Sequence, residues 1–470
     1  MAAMRKEKDS LGFVEVPARA YYGAQTARAV ENYPISGMRA HPTLIRAIAM
    51  VKQAAAEANR ELGLLDAKRA DAIIQAAQEV IDGRWTDEFV VDVFQAGAGV
   101  SFHMNTNEVI ANRANEILGG ALGEYASVHP NDHVKYGQST NDVFPTAMRV
   151  ATLLALDALD PQIDALAEAF AKKAAEFDPV MKAGRTHMQD AVPIRLGQEF
   201  AAYGTAIRKA GESLREAGHA LRELGLGGSA VGTGLNTHPE YRAKAVANLS
   251  RISGETLVPA EDLRWAMQSN APMAQVSGAL RNLALEMIRI SNDLRLLSSG
   301  PNTGFNEIHL PSLQPGSSIM PGKINPVMAE LAAMVSFQVI GNDTAVALAV
   351  QAGQLELNVM MPTMAYSVLQ SITIMTNMLR QFTDRCVAGI TANEERCRYY
   401  AESTIALATA LNPYIGYAKA AELVKESVAS GESIVELARK KQLLTDEQIR
   451  EILDPEKMTE PRSQKPPKHS

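Results

Sequence analysis

The sequence predicts a mainly α protein: an elongated central bundle of long helices with smaller N- and C-terminal domains. Three observations lead there. Aromatic residues make up only 5% of the 470, and Ala, Leu and Met fill the apolar positions, which favours helix over strand. Runs of strict apolar–polar alternation are few. Apolar residues recur at helical spacing over runs of about 25 to 35 residues, longer than ordinary globular helices and expected of an extended bundle.

Residues 1–141 read as an N-terminal mixed, mainly helical domain, with a short strand at Val14–Pro17 and helices near 42–62, 66–82 and 105–118. Residues 142–395 read as the long-helix domain, with runs near 143–176, 195–223, 239–252, 268–298, 327–353 and 362–388. The run Val327–Val350 stays apolar on more than one face, and a helix apolar all round needs cover on all sides. One chain supplies about five long helices, so several chains are expected to share a bundle. Residues 396–470 read as a small helical C-terminal domain, with helices near 404–411, 414–429, 432–441 and 445–452. A tail rich in Pro and Lys/Arg is expected to be disordered from about 455.

Charge and composition exclude several function classes. Net charge is −7 with acids and bases interspersed, and no basic block precedes the tail, so no nucleic-acid partner is expected. The first residues lead into charge rather than an apolar segment, which reads as cytoplasmic. The uncharged run Leu357–Leu379 contains Asn358, Pro362, Gln370 and Asn377, so it reads as a buried core helix and no membrane is expected. Cys386 and Cys397 have no His or Cys cluster around them and indicate neither a disulfide framework nor a zinc site.

Four clusters of small polar residues interrupt the helical pattern. Gly316–Pro326 carries Ser317, Ser318, Lys323 and Asn325 among two glycines and two prolines, a set suited to a carboxylate. It is not a phosphate-binding Walker loop: five residues separate Gly316 from Gly322-Lys323, and Ile324 follows the lysine. Gly97–Glu108 contains Val100, Ser101 and His103. Gly137–Asp142 contains Ser139, Thr140, Asn141 and Asp142, all N-cap types just before a long helix; one cap is enough, and the surplus would make an anion site. Gly184–Asp190 contains Thr186 and His187 in a polar turn. The glycine-rich stretch Gly225–Gly234 lacks the third glycine and the preceding strand of a dinucleotide fingerprint. No metal-ligand set and no Ser-His-Asp spacing is visible, so neither metal nor cofactor is expected. Hydroxyls, amides, one Lys and one His fit removal of a proton next to a carboxylate, with the resulting charge held by donors.

Together these segments resemble the aspartase/fumarase superfamily over nearly the whole chain. Its signature loop matches Gly316–Asn325, and further motifs match Ala98–Asn112, Gly137–Pro145, Gly184–Glu199 and Val231–Glu240. The resemblance implies a homotetramer around a twenty-helix core, with each active site drawn from three subunits. Tyr21–Thr26, Asn306-Glu307-Ile308 and Asn325-Pro326-Val327 are similar to the wording of aspartate ammonia-lyases, whereas fumarate hydratases usually read Ser-Gln-Ser-Ser-Asn-Asp where this chain has Gly137–Asp142. The implied reaction is deamination of aspartate to fumarate. The implied base is Ser317, with Ser139, Thr140 and Ser318 on the β-carboxylate and Thr186, Lys323 and Asn325 on the α-carboxylate. Asn141 and His187 would contact the amino group, and Glu330 would orient His187. Two positions depart from the family: Val100 stands where a Thr is usual, with His103 nearby as a compensating donor, and Asn302 follows Gly300-Pro301 where Arg is usual. Alternatives are a fumarate hydratase, a lyase for a substrate modified at the β-position, and a catalytically silent structural bundle.

Overall fold

The computed structural model describes residues 3–461. The chain opens with β1 (Met4–Asp9) and β2 (Gly12–Pro17), an antiparallel hairpin in the register Met4↔Pro17 to Asp9↔Gly12. There follow α1 (Ala24–Asn32), α2 (Pro42–Glu61), α3 (Ala67–Ile81), α4 (Val100–Ile117) and α5 (Thr140–Glu176). A second hairpin, β3 (Met181–Thr186) and β4 (Gln189–Arg195), leads into α6 (Leu196–His219). The two-residue strands β5 (Glu223–Leu224) and β6 (Val258–Pro259) flank α7 (Tyr241–Ser253), and α8 (Leu263–Gln268) and α9 (Ala271–Leu297) follow. Next come β7 (Ile308–His309), α10 (Val327–Gln351), α11 (Met361–Arg385) and β8 (Thr391–Ala392), with β8 paired to β7. The chain closes with α12 (Glu394–Ser403), α13 (Asn412–Ile415), α14 (Tyr417–Ser430), α15 (Ile434–Lys440) and α16 (Asp446–Ile452).

The contacts divide the chain into two units. The first comprises Met1–Pro161, Ala210–Ala284 and Val335–Thr376, and the second Gln162–Lys209, Leu285–Met334 and Asn377–Ser470. Each of α5, α6, α9, α10 and α11 has residues in both.

In the first unit, helix starts and stops follow local chemistry. Pro42 occupies the first turn of α2, where its missing N–H costs nothing, and His41 Nδ1 accepts the Thr43 N–H. Asp66 caps α3 through the Arg69 N–H. The stretch Tyr21–Thr26 owes its wording to α1: the buried Glu108 carboxylate on α4 accepts the N–H groups of Gly23, Gln25 and Thr26 and the Thr26 hydroxyl. A negative group there satisfies donors that have no partner inside their own helix. Gly23 is required, because a Cβ would lie 2.4 Å from the Tyr125 hydroxyl. The C-terminus of α10 is closed by the buried Asn358, whose amide donates to the carbonyls of Ala349 and Val350 at 3.0 Å. Asn358 therefore terminates a helix, and α11 behind it buries Met361, Met364, Leu369, Ile372 and Met375, as a core helix does. Among the described residues, α10 is the one helix long and apolar enough to cross a membrane; it leaves Met334, Phe337 and Leu348 exposed in the protomer.

In the second unit, the C-terminal helices bury Leu407, Leu411, Leu423, Leu437 and Ile449 around a small core of their own. Residues 404–411 form a 3-10 helix (Ile405–Leu411) rather than an α-helix, started by the Thr404 hydroxyl on the Ala406 N–H. Helix α12 and the β3–β4 hairpin are additions to the elements read from sequence. The segment from 455, expected to be disordered, turns as a 3-10 helix at Pro455–Met458, and the Glu460 carboxylate accepts from Arg195 and Gln198. These polar anchors order a segment that has no apolar pattern; the remainder of that expected tail, 462–470, lies outside the described residues.

The carboxylate of Glu307, completely buried, is the electrostatic centre of the hairpin. It accepts two hydrogen bonds from Arg185 at 2.9 and 3.1 Å and lies 3.6 Å from Lys182, which is itself buried. The Arg185 guanidinium also lies over the Phe305 ring, 4.2 Å from its centroid. Removing one partner of a buried ion pair strands the other charges. Glu307→Ala is therefore expected to destabilise the protein by about 3 kcal/mol, read as a lowered denaturation midpoint, while Glu168→Ala, which removes the exposed 3.7 Å pair with Lys172, leaves the midpoint within error.

Candidate active site

In the first unit, the site begins with three consecutive residues at positive φ, Gly97 (92°), Ala98 (57°) and Gly99 (91°), which turn the chain into α4. Gly99 allows a close approach that no side chain would: its Cβ would sit 2.4 Å from the Phe144 ring. The start of α4 thus presses on the first turn of α5, and Phe102 stacks on Phe144 with centroids 6.3 Å apart. Val100 is the first residue of α4 and is 41% exposed. It is not a core residue.

The start of α5 is a reciprocal cap. The Ser139 hydroxyl accepts the Asn141 N–H at 3.2 Å, and Asp142 Oδ1 accepts the Ser139 N–H at 2.9 Å. Asp142 is fully buried; its other oxygen accepts the N–H groups of Gly227 and Ser229, which fastens the glycine-rich stretch beneath the helix start. Burial pushes the Asp142 carboxyl up to about 6, against the pull of those N–H donors. Capping thus uses Asp142 and one lone pair of the Ser139 oxygen, leaving the Ser139 proton, Thr140 and Asn141 for other work. The Asn141 amide donates to the Ala230 carbonyl at 2.8 Å, which orients its oxygen.

His103 is fully buried, and Thr140 nearly so. The imidazole Nδ1 lies 2.7 Å from the Thr140 hydroxyl, and its Nε2 contacts the Nζ of Lys52, a fully buried lysine on α2. Lys52 also donates to Gln138 Oε1 at 2.7 Å. His103 therefore stands behind Thr140, and the expectation that it supplies a donor directly in place of the missing Thr hydroxyl is replaced by an indirect connection. Sequence reading passed over Lys52; the signal was a lysine on the apolar face of an Ala-rich helix, where charge is rare without a partner.

In the second unit, Thr186 and His187 stand at the tip of the β3–β4 hairpin. Thr186 pairs with Gln189, so His187 and Met188 alone make the turn, at φ 55° and 60°. Two successive left-handed residues define a type I′ turn, usually Asn-Gly. A His-Met pair holds that shape at a cost of order 1–3 kcal/mol per residue. Thr186, His187 and Met188 are all exposed. Among the described residues, no hydrogen bond or ion pair joins His187 to Glu330 within the protomer.

The signature loop is closed at its base by three contacts. The Gly316 N–H donates to the Lys323 carbonyl at 2.8 Å, the Asn325 amide donates to the Gly316 carbonyl at 2.8 Å, and the Lys323 N–H reaches the Met320 carbonyl at 3.3 Å. Gly316 is needed because a Cβ would lie 2.5 Å from the Lys323 carbonyl oxygen. Inside the loop the Ser317 hydroxyl oxygen accepts two backbone N–H groups, from Ile319 at 3.2 Å and Met320 at 3.0 Å. Two such donors stabilise negative charge on that oxygen. Ser318 and Lys323 are exposed, as is Ile319 at 83%. Asn325, read as a substrate contact, holds the loop closed with one of its N–H groups; its other N–H and its carbonyl remain for a ligand.

Each predicted residue thus lies at a helix start, a hairpin tip or a closed loop. Val100, His103, Ser139, Thr140 and Asn141 form one cluster in the first unit; Thr186 and His187 share one hairpin tip, and Ser317, Ser318, Lys323 and Asn325 share one loop, in the second. Sequence reading missed Lys52, Gln138 and Arg185 as supports.

The sequence pattern of a family described as lyase matches residues 12–341, and a pattern described as fumarase C C-terminus matches residues 407–460. Over 458 residues the chain is 50% identical to an aspartate ammonia-lyase from a Bacillus species, covering 97% of this chain and 98% of that one. It is also 51% identical over 456 residues to a class II fumarate hydratase from Halobacterium salinarum, with 97% of each chain covered. The crystal structure of a fumarate lyase:delta crystallin from Brucella melitensis bound to cobalt, 47% identical, matches with a TM-score of 0.95 over 98% of this chain and 100% of that one. Identity near one half along almost the entire chain, with the same fold and the signature loop intact, makes this chain a member of the aspartase/fumarase superfamily of lyases.

Proposed function

We propose that this lyase is an aspartate ammonia-lyase, converting L-aspartate reversibly to fumarate and ammonia. The observation that carries the reading is the Ser317 oxygen held by two backbone N–H groups in a glycine-closed loop. A serine hydroxyl is a poor base until its oxyanion is stabilised, and this loop supplies the donors. Ser317 removes a proton from Cβ; the electron pair moves into the β-carboxylate as an aci-carboxylate, then returns to form the Cα=Cβ double bond as ammonia leaves Cα. Ser139, Thr140 and Ser318 hold the β-carboxylate where the extra charge develops. Thr186, Lys323 and Asn325 hold the α-carboxylate, and Asn141 and His187 face the amino group, with Glu330 orienting His187. Fumarate hydratase is the alternative within the superfamily, and the half-identical curated relatives include both names.

The enzyme is read as a cytoplasmic homotetramer with sites shared by three subunits. The apolar side chains that α9 and α10 leave uncovered in one protomer, Leu285, Leu296, Met334, Phe337 and Leu348, support that reading, since isolated exposure of so many on long helices is unfavourable.

Purified protein given aspartate is expected to release fumarate, followed by its ultraviolet absorbance, and to do so faster than when given malate. Ser317→Ala is expected to abolish turnover with assembly intact; retention of more than about a tenth of the activity contradicts the base assignment. Mixing Ser317→Ala chains with Thr186→Ala chains and reassembling them is expected to restore partial activity, because complementing residues come from different subunits. Strict inactivity of tetramers proven to be mixed contradicts the composite site.

Val100 favours a second substrate reading within the same chemistry. It is exposed and apolar at a position where the family offers a hydroxyl. In an ordinary aspartase, Val100→Thr is expected to leave aspartate turnover equal or higher. In a lyase for a substrate with an apolar β-group, it raises aspartate turnover and lowers that of the true substrate by the cost of an unpaired hydroxyl, about 1–3 kcal/mol. Paired kcat/KM measurements separate the two, and a steep loss for aspartate rejects both.

A further inference from the structure

We propose that Lys52 and His103 are positioning residues that aim the proton of the Thr140 hydroxyl outward, at the carboxylate bound by the active site. The inference rests on the assignment of Thr140 to the substrate's β-carboxylate.

The argument begins at Gln138. Its amide nitrogen donates to the carbonyls of Val134 and Tyr136 at 3.1 and 3.3 Å, so its oxygen is the end that faces Lys52, and Lys52 donates to it. As an ammonium, Lys52 has a further N–H to give, and His103 Nε2 is against it. A ring nitrogen that accepts from an ammonium carries no proton, so the imidazole proton sits on Nδ1 and points at the Thr140 oxygen 2.7 Å away. Thr140 then accepts through one lone pair and keeps its only proton for another partner. The reverse chain, with a proton on Nε2, would set an N–H against the ammonium and turn Nδ1 into an acceptor that consumes the Thr140 proton inward. One hydroxyl has one proton, and the direction of this chain decides where it goes.

Burial pushes the titration of Lys52 well below its usual range, and Lys135 adds to that; Asp142, the anion of the cluster, opposes both, and the proposal takes Lys52 in the charged form that Asp142 favours. Lys135 is the other cation bearing on Lys52 and His103, and the buried Tyr241 lies near Asp142. Burial disfavours a second positive charge on His103, whose titration is pushed well below the usual range. A neutral imidazole beside a charged lysine is the arrangement the proposal requires. The mechanism described above makes no use of either residue.

The test compares two substitutions of nearly identical shape and opposite donor capacity. Asn at position 103 can accept from Lys52 through its carbonyl and donate to Thr140 through its amide. Asp can only accept, pairs with Lys52 and keeps the cluster filled, but draws the Thr140 proton inward. His103→Asn is expected to keep kcat for aspartate within about threefold of the parent, whereas His103→Asp is expected to lower kcat about a hundredfold, as does Thr140→Val, by removing one donor from the developing charge. In the Thr140→Val background, His103→Asp is expected to add no further loss, which separates an effect through the hydroxyl from simple repulsion of the substrate. Equal activity of the Asn and Asp variants, or losses that multiply in the double variant, would overturn the inference and leave the proposed function standing. Full activity of Thr140→Val would instead overturn the assignment of Thr140 to the substrate, and this inference with it.

Discussion

Backbone N–H groups without a partner in their own element are the constraint around which this chain is built. A long helix consumes its own donors everywhere except in its first turn, so a bundle of helices can offer donors only at helix starts and in the loops that precede them. The structure uses each such place. Glu108 collects the N–H groups at the start of α1, Asp142 those of Ser139, Gly227 and Ser229, and the Ser317 oxygen those of Ile319 and Met320. The first two are buried carboxylates that satisfy donors permanently. The third is a hydroxyl in an exposed loop, where the same geometry stabilises a charge that exists only when the proton is gone. The same local device therefore serves as a structural fastening in two places and as chemistry in the third.

What the sequence made legible follows from this division. Long helices announce themselves through apolar spacing, and α2, α3, α5, α7, α9, α10 and α11 begin and end close to where spacing and caps put them. The polar clusters were legible as interruptions of that spacing. The β3–β4 hairpin was not, because its turn is His187-Met188 rather than Asn-Gly and its strands carry Lys182, Arg185 and Asp190 in place of clear alternation. What holds it is Glu307, distant in sequence, and no local pattern reveals a distant carboxylate. Lys52 was half legible for a related reason: its place on the apolar face of an Ala-rich helix marks it as unusual, but only the fold brings His103 and Gln138 to it. The resemblance carried the residue roles, but it could not say that Ser139 spends its oxygen on a cap, or that Asn325 spends one N–H on the loop.

The strain at His187-Met188 is informative in the same way. Two non-glycine residues in the left-handed region persist only where surroundings over-determine them. Here the Thr186–Gln189 pairing sets the turn length, and Arg185, clamped by Glu307 and stacked on Phe305, fixes the strand that enters it. The product is an exposed imidazole and an exposed hydroxyl on adjacent residues, with no side-chain hydrogen bond from either among the described residues. A flexible Asn-Gly turn would be cheaper to fold but would deliver neither group.

Preorganisation also explains why so much charge is buried beside the α5 start. An exposed hydroxyl in water reorients to suit any neighbour, and its value to a developing anion is reduced by the work of turning it. Thr140 is almost buried and backed by an imidazole whose other nitrogen faces a lysine, so its orientation is decided before substrate arrives. Burying Lys52 and Asp142 carries a desolvation cost that hydrophobic residues of the same size would avoid. That cost is tolerated because the two charges compensate each other and every nearby donor of Ser139, Gly227 and Ser229 is satisfied. The charged cluster beneath the helix start and the Thr140 hydroxyl above it are therefore one construction, in which the buried charges fix the direction of the hydroxyl.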